Sequence, residues 1–227
     1  MAIPGELVIV DDVASAFAGL VIDAFRTRPQ DTFSLALSGG ETARDCYEHL
    51  ADTAGSQVDW WKVDVYWGDE RCVPHDHQDS NYLLAREALL DRVGAANATH
   101  LMRCPEGPDP YQLRLGDLGR IDMVHLGMGD DGHTASLFPG SAALKADPGR
   151  LVTMNEDPTG VHPYQRMTLT LAGIARANLV VVTVAGESKA SALAAVAAGD
   201  DLPAAHIQAE QVVWLVDPAA ASMLPTG

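Results

Sequence analysis

The sequence predicts an α/β fold, a doubly wound and mostly parallel sheet with helices on both faces. Three observations predict it: short apolar runs recur along the chain, helix-like stretches separate most of them, and glycine-rich turns follow several of the runs. The runs fall at residues 7–10, 33–37, 63–67, 121–126, 179–184 and 212–216.

Taken in order, LVIV at 7–10 precedes a helical stretch at 13–26, with Asp11 or Asp12 placed to cap it by accepting from its free N–H groups. FSLAL at 33–37 runs into SGGET and a helix at 42–50. VDVYW at 63–67 ends in GDERCVP, and Ser80 introduces a helix at 81–93. Residues 94–119, which include RCPEGPDP, read as irregular chain wrapping the surface before the strand IDMVHL. A short helix at 134–137 is expected next, then an irregular interval at 139–163 with an extended piece at 151–154. MTLTL after Arg166 alternates as a strand does, and a helix at 188–198 begins at Glu187 or Ser188. Its alanine-rich sequence has high helix propensity and needs no special function. With no repeat or flexible linker to divide it, the chain reads as a single domain over residues 1–227.

Fifteen Lys and Arg against 31 Asp and Glu give a formal charge of −16. Such a surface repels nucleic acid and anionic membranes, so neither is an expected partner. A phosphorylated ligand then requires a local group of Arg, Lys or backbone N–H donors. Cys46, Cys72 and Cys104 are odd in number and form no CxxC pair, and they read as reduced thiols. No segment has the pattern of a signal peptide or the length of a membrane span, so a cytoplasmic protein is expected, as a monomer or homodimer.

Candidate chemistry concentrates at predicted strand ends, where open α/β sheets place their ligands. Ser38, Gly39 and Gly40 lie between a strand and a helix, either as a phosphate cradle or as plain punctuation. The loop lacks the lysine of a P-loop and the GxGxxG of a dinucleotide site. Asp69, Glu70 and Arg71 are adjacent and cannot all point the same way, so one or two face the crevice while the others hold the loop. Arg71 either forks onto an anion or pairs with a neighbouring carboxylate. His75 and His77 have HxH spacing without an identifiable third metal ligand and read as a solvated loop.

The segment GMGDDGHTASLFPG at 127–140 is the most informative. It sets His133 just after a strand, beside Asp130 and Asp131, and an imidazole is suited to accept a proton near neutral pH. Asp131 fixes its tautomer or contacts substrate, and Asp130 braces the turn. Thr134 and Ser136 are expected to satisfy the donors of the short helix, and Leu137 and Phe138 to pack inward. Arg166 and Lys189, each at a further strand boundary, reach the same crevice if the sheet is doubly wound, or are surface charges.

Together SGGET, GDERCVP followed by SN, GMGDDGHTASLFPG, RMTLTL and GESKA resemble the 6-phosphogluconolactonase family of the glucosamine-6-phosphate isomerase/deaminase superfamily, from about residue 5 to residue 220. The resemblance implies a Rossmann-like, NagB-type fold and hydrolysis of 6-phospho-D-glucono-1,5-lactone in the oxidative pentose phosphate pathway, with no cofactor and no metal. It matches His133 to the general base and Asp131 to its acidic companion. It matches Ser38, Gly39 and Gly40 to the sugar-phosphate loop, Arg166 and Lys189 to basic positions near the phosphate, and Asp69 and Arg71 to the pocket lining. The related deaminases resemble DGHIAFNEP at the central motif, with a glutamate where this chain has Phe138, a residue that cannot transfer a proton. Deamination with isomerisation, and a non-catalytic sugar-phosphate-binding regulator, are the alternatives. Backbone N–H groups around 132–134 are the expected oxyanion donors.

Overall fold

The apolar runs do form parallel strands, and the computed structural model describes residues 3–54 and 56–225. Seven strands make the main sheet: β1 (Glu6–Ile9), β2 (Phe33–Leu37), β3 (Val63–Trp67), β5 (Ala98–Thr99), β6 (Ile121–Gly127), β9 (Ala177–Val184) and β10 (Gln211–Val216). Their spatial order is β1-β10-β9-β6-β2-β3-β5, and every pairing is parallel. All five residues of β2 are buried, which is why FSLAL carries no alternation. From β2 the chain moves outward through β3 to β5, then returns to β6 on the other flank of β2 and continues outward again. The winding therefore reverses between β2 and β6. The carboxyl ends of those two strands open the crevice that such a reversal creates.

Helix α1 (Val13–Thr27) starts where Asp12 accepts the N–H of Ser15 at 2.9 Å, a cap worth about 1 kcal/mol. It buries Val13, Phe17, Ala18, Val21, Ile22 and Phe25 on one face. Helix α2 (Glu41–Ala54) packs beside it. Helix α3 (Asn81–Ala85), capped by Ser80, continues through a π-helical stretch, Arg86–Leu90, into α4 (Asp91–Val93). Residues 94–119 are more regular than the sequence suggests, because they contain β5 and helix α5 (Asp109–Leu118). Pro110 in its first turn is compatible with a helix start, although it reads as a breaker in RCPEGPDP.

A second sheet of three antiparallel strands, order β4-β8-β7, joins β4 (Asp69–Arg71), β7 (Val152–Asn155) and β8 (Arg166–Leu169). It realises the extended piece at 151–154 and the alternating MTLTL. After α6 (Leu171–Ile174), the last α-helix among the described residues is α7 (Ala190–Ala198). The helical run begins at Glu187, as expected, but its first turn, Glu187–Lys189, is 3-10 and no side chain caps it.

Two expectations are corrected. Residues 134–137 are not a helix: Thr134 and Leu137 form an isolated bridge, and Ala135 takes φ +48°, outside helical space. Nor are all three cysteines thiols. Cys72 and Cys104, 32 positions apart, are disulfide-bonded with Cα atoms 5.4 Å apart, which spacing alone does not reveal. Cys46 is free and buried, and burial pushes its thiol up to about 12.

Candidate active site

The crevice at the winding reversal is a cavity of about 590 Å³, within the range of small-molecule sites. Eight of the nine residues that the family resemblance matched to the site line it: Ser38, Gly39, Gly40, Asp69, Arg71, His133, Arg166 and Lys189. The ninth, Asp131, holds His133 from behind.

Ser38, Gly39 and Gly40 leave β2 and enter α2, whose 14 residues direct a free N-terminus at the cavity. The backbone needs glycine here for a specific reason. A Cβ on Gly39 would lie 1.8 Å from Asn81 Oδ1, and Gly40 takes φ +95°. The loop is anchored from below by a buried network that no motif announces. Ser38 N donates to Tyr47 Oη at 2.6 Å, Tyr47 Oη lies 2.9 Å from His125 Nδ1, and His125 Nε2 lies 2.9 Å from Thr183 Oγ1. His125 is fully buried, and burial lowers its imidazole to about 3, so the ring is neutral.

The GDER loop divides as strand geometry requires. Residues 69 and 71 of β4 share a face, and Glu70 points the other way. Glu70 accepts from Arg71 N, Ser80 Oγ, Asn81 N and Tyr82 N, so it holds the loop and the start of α3 together. Burial raises its carboxyl above the usual range despite those donors. Asp69 accepts from Ser136 Oγ at 2.6 Å and from Asn81 Nδ2 at 3.1 Å. Ser136 thus braces Asp69, and Thr134 Oγ1 donates to Gly127 O, where the sequence reading gave both to a helix start.

Arg71 and Arg166 sit directly opposite each other in the β4–β8 ladder. Like charges in that relation repel. Among the described residues neither forms an ion pair, and the Nε of each is buried without a partner. Arg71 donates to Asp79 O and Arg166 to Pro163 O. Burial lowers the Arg166 guanidinium from its ordinary value. Two guanidiniums side by side, each without an ion pair and with a buried free Nε, can receive an anion. Lys189, by contrast, is paired with Asp130 at 2.5 Å and holds that carboxyl below its usual value.

His133 Nδ1 lies 2.6 Å from Asp131 Oδ1, which also accepts the His133 backbone N–H at 3.0 Å. Burial favours the neutral Asp131 carboxyl, but the hydrogen bonds from His133 outweigh it and hold the acid at about 2. Gly129 makes room for the pair, since a Cβ there would lie 2.1 Å from His133 Nδ1 and 2.7 Å from Asp131 Oδ1. Of the N–H groups expected around 132–134 as oxyanion donors, those of Gly132 and His133 are spent within the turn, on Gly129 O and Asp131 Oδ1.

Sequence reasoning missed His162, which lines the cavity with its ring centroid 4.8 Å from that of His133. It precedes β8 in an irregular stretch with no recognisable spacing. Asp131, His133 and His162 offer three ligand atoms within 4.8 Å of one another, a set open to a divalent cation. Two ligands on one tetrahedral zinc stand about 3.3 Å apart. The 2.6 Å between Asp131 and His133 is instead a hydrogen-bond distance. His75 and His77 are outside that group and outside the cavity.

Residues 7–214 match the family model described as glucosamine-6-phosphate isomerases/6-phosphogluconolactonase. The chain is 39% identical over 215 residues to a 6-phosphogluconolactonase of Nostoc sp., with 87% of each covered. Among solved structures, 6-phosphogluconolactonase from Leishmania guyanensis superposes with a TM-score of 0.84 at 26% identity, covering 98% of this chain and 99% of that one. A monomeric glucosamine-6-phosphate deaminase shares the fold at a TM-score of 0.80 and 18% identity, covering 96% of this chain and 99% of that one. The chain belongs to the glucosamine-6-phosphate isomerase/6-phosphogluconolactonase family.

Proposed function

We propose that this chain hydrolyses 6-phospho-D-glucono-1,5-lactone to 6-phospho-D-gluconate in the oxidative pentose phosphate pathway, with His133 as general base. The observation that carries the mechanism is the Asp131–His133 pair facing a cavity that two guanidiniums without an ion pair also line. Asp131 occupies Nδ1, which leaves Nε2 of His133 to take a proton from water as the water oxygen bonds to the lactone carbonyl carbon. The carbonyl electron pair moves onto its oxygen. On collapse the bond to the ring oxygen breaks, and the proton held by His133 passes to that oxygen, giving a hydroxyl and a free acid.

Arg166, Arg71, Lys189 and the glycine loop at the α2 N-terminus bind the phosphate and so orient the carbonyl. General-base assistance supplies about 10²–10⁴ in rate, which suffices for an activated ester that opens unaided. Phe138 argues against deamination, because its buried ring stands where the related deaminases carry a proton-transferring glutamate. The proposal includes a cytoplasmic setting, and action without nucleic-acid or membrane partners as a monomer or homodimer. No helix among the described residues is long and apolar enough to cross a membrane. The test is acid release from freshly prepared lactone, corrected for spontaneous opening, beside ammonia release from glucosamine 6-phosphate. Ammonia without lactone turnover would replace this reading with the deaminase.

A further inference from the structure

The hydrolysis scheme needs a donor for the oxygen that becomes negative, and the turn at Gly132 and His133 has none to spare there. We propose that His162 supplies it: its imidazole N–H faces the lactone carbonyl oxygen and stabilises the tetrahedral oxyanion while His133 activates water. The inference rests on the lactonase reading above.

Three features of the residue support that role. Its ring is fixed, lying nearly parallel to Phe138 at 5.1 Å and 18°, and edge-on to His133 at 4.8 Å and 71°. Its backbone is fixed too, since His162 N donates to Asp157 Oδ2 at 2.9 Å and the same carboxylate gathers Thr159 N and Oγ1. The ring is also unspent. Among the described residues neither ring nitrogen has a hydrogen-bond partner, although the side chain lines the cavity. A polar edge held rigid and left open is what oxyanion stabilisation requires, because no reorganisation is needed as charge develops.

The spacing suits the chemistry. Base and donor must each approach a different oxygen of one tetrahedral carbon to within about 3 Å. A nitrogen of each ring lies within 4.8 Å of the other, with centroids 4.8 Å apart at 71°, a span that one tetrahedral carbon and two of its oxygens can bridge. Burial, His133 and Arg166 all push the His162 imidazole below its ordinary value, against the smaller pull of Asp131 and Asp157. A neutral ring offers an N–H without a charge that would oppose protonation of His133. Phe138 thereby acquires a positive role, as the platform that sets the plane of the donor.

Three proteins test this in the lactone assay: wild type, His162→Phe, which keeps the stack on Phe138 but has no donor, and His162→Gln, which keeps an N–H. His162→Phe is expected to lower kcat by about 10²-fold with KM changed less than about threefold, and His162→Gln to recover at least about tenfold of that loss. Thermal midpoints of both variants are expected near that of wild type. A kcat for His162→Phe within about threefold of wild type would overturn the inference, as would equal impairment of both variants. Wild type inert toward the lactone would overturn the lactonase reading itself, so the two failures are distinguishable.

Discussion

Asp131 Oδ1 grips His133 twice, through the ring Nδ1 at 2.6 Å and through the backbone N–H at 3.0 Å. One carboxylate oxygen thereby fixes both the tautomer and the direction of the imidazole. His133→Ala is expected to lower lactone turnover at least about 100-fold without loss of folding. Asp131→Asn keeps the shape but loses the charge that supports the imidazolium, and is expected to cost about 10- to 100-fold in kcat. Gly129→Ala tests the pair from outside, since its methyl group would collide with both partners. It is expected to depress kcat as Asp131→Asn does. Unchanged turnover in a folded His133→Ala protein would remove it as the base.

The cations divide by their partners. Arg166 has a buried Nε with nothing to bond, whereas Lys189 is already neutralised by Asp130. An anion therefore gains more from Arg166, as a charge-assisted hydrogen bond contributes about 1.5–3 kcal/mol. Arg166→Gln is expected to raise KM for the phosphorylated lactone about 10- to 100-fold, and Lys189→Gln by less. Both should leave turnover of unphosphorylated gluconolactone little changed. Measuring kcat/KM on the two lactones checks this, and undiminished discrimination in Arg166→Gln would remove the phosphate from Arg166.

Most of this site was legible because its residues lie at the ends of strongly apolar strands. FSLAL, VDVYW and IDMVHL mark buried strands by composition, and the residues that follow them must emerge at the crevice. The second sheet was harder to read. DER is short and polar, and Asp69–Arg71 becomes a strand only because β8 lies beside it. At 134–137 local propensity suggested a helix, yet the bond of Ser136 to Asp69 and the φ of Ala135 impose a turn. His162 and the Tyr47–His125–Thr183 network have no signature, since their meaning lies in contacts 78 and 58 positions apart in the chain or in aromatic stacking.

The Cys72–Cys104 bond adjoins the site, because Cys72 directly follows Arg71 and its N–H donates to Gln165 O beside Arg166. Denatured without reductant, the protein is expected to expose one thiol, Cys46, and three after reduction. Closing a loop across 32 positions stabilises by roughly 3–4 kcal/mol, so Cys72→Ser should lower Tm by about 5–15 °C. Disulfides are rare in the reducing cytosol. Thiol trapping in intact cells that found three thiols would show the bond to be absent there.

His125 gives the fold a pH dependence whose sign follows from its burial. Its imidazole falls from 6.5 to about 3 on folding, so the native ring stays neutral where the unfolded one is charged. Between those values the unfolded chain binds one more proton than the native protein. Stability therefore rises with pH through that window and is lost as pH falls, at a slope of at most about 1.4 kcal/mol per unit, with no contribution above it. Urea denaturation in unit steps from about pH 4 to about pH 7 measures the slope. His125→Gln lacks the titrating group while keeping polar atoms near Tyr47 and Thr183, so it is expected to be less stable than wild type at neutral pH. Its deficit should shrink as the medium is acidified, because only wild type bears the cost of excluding a proton. Parallel stability curves for the two proteins would mean that His125 takes up a proton as readily in the native state as in the unfolded one, and that burial does not hold the ring neutral.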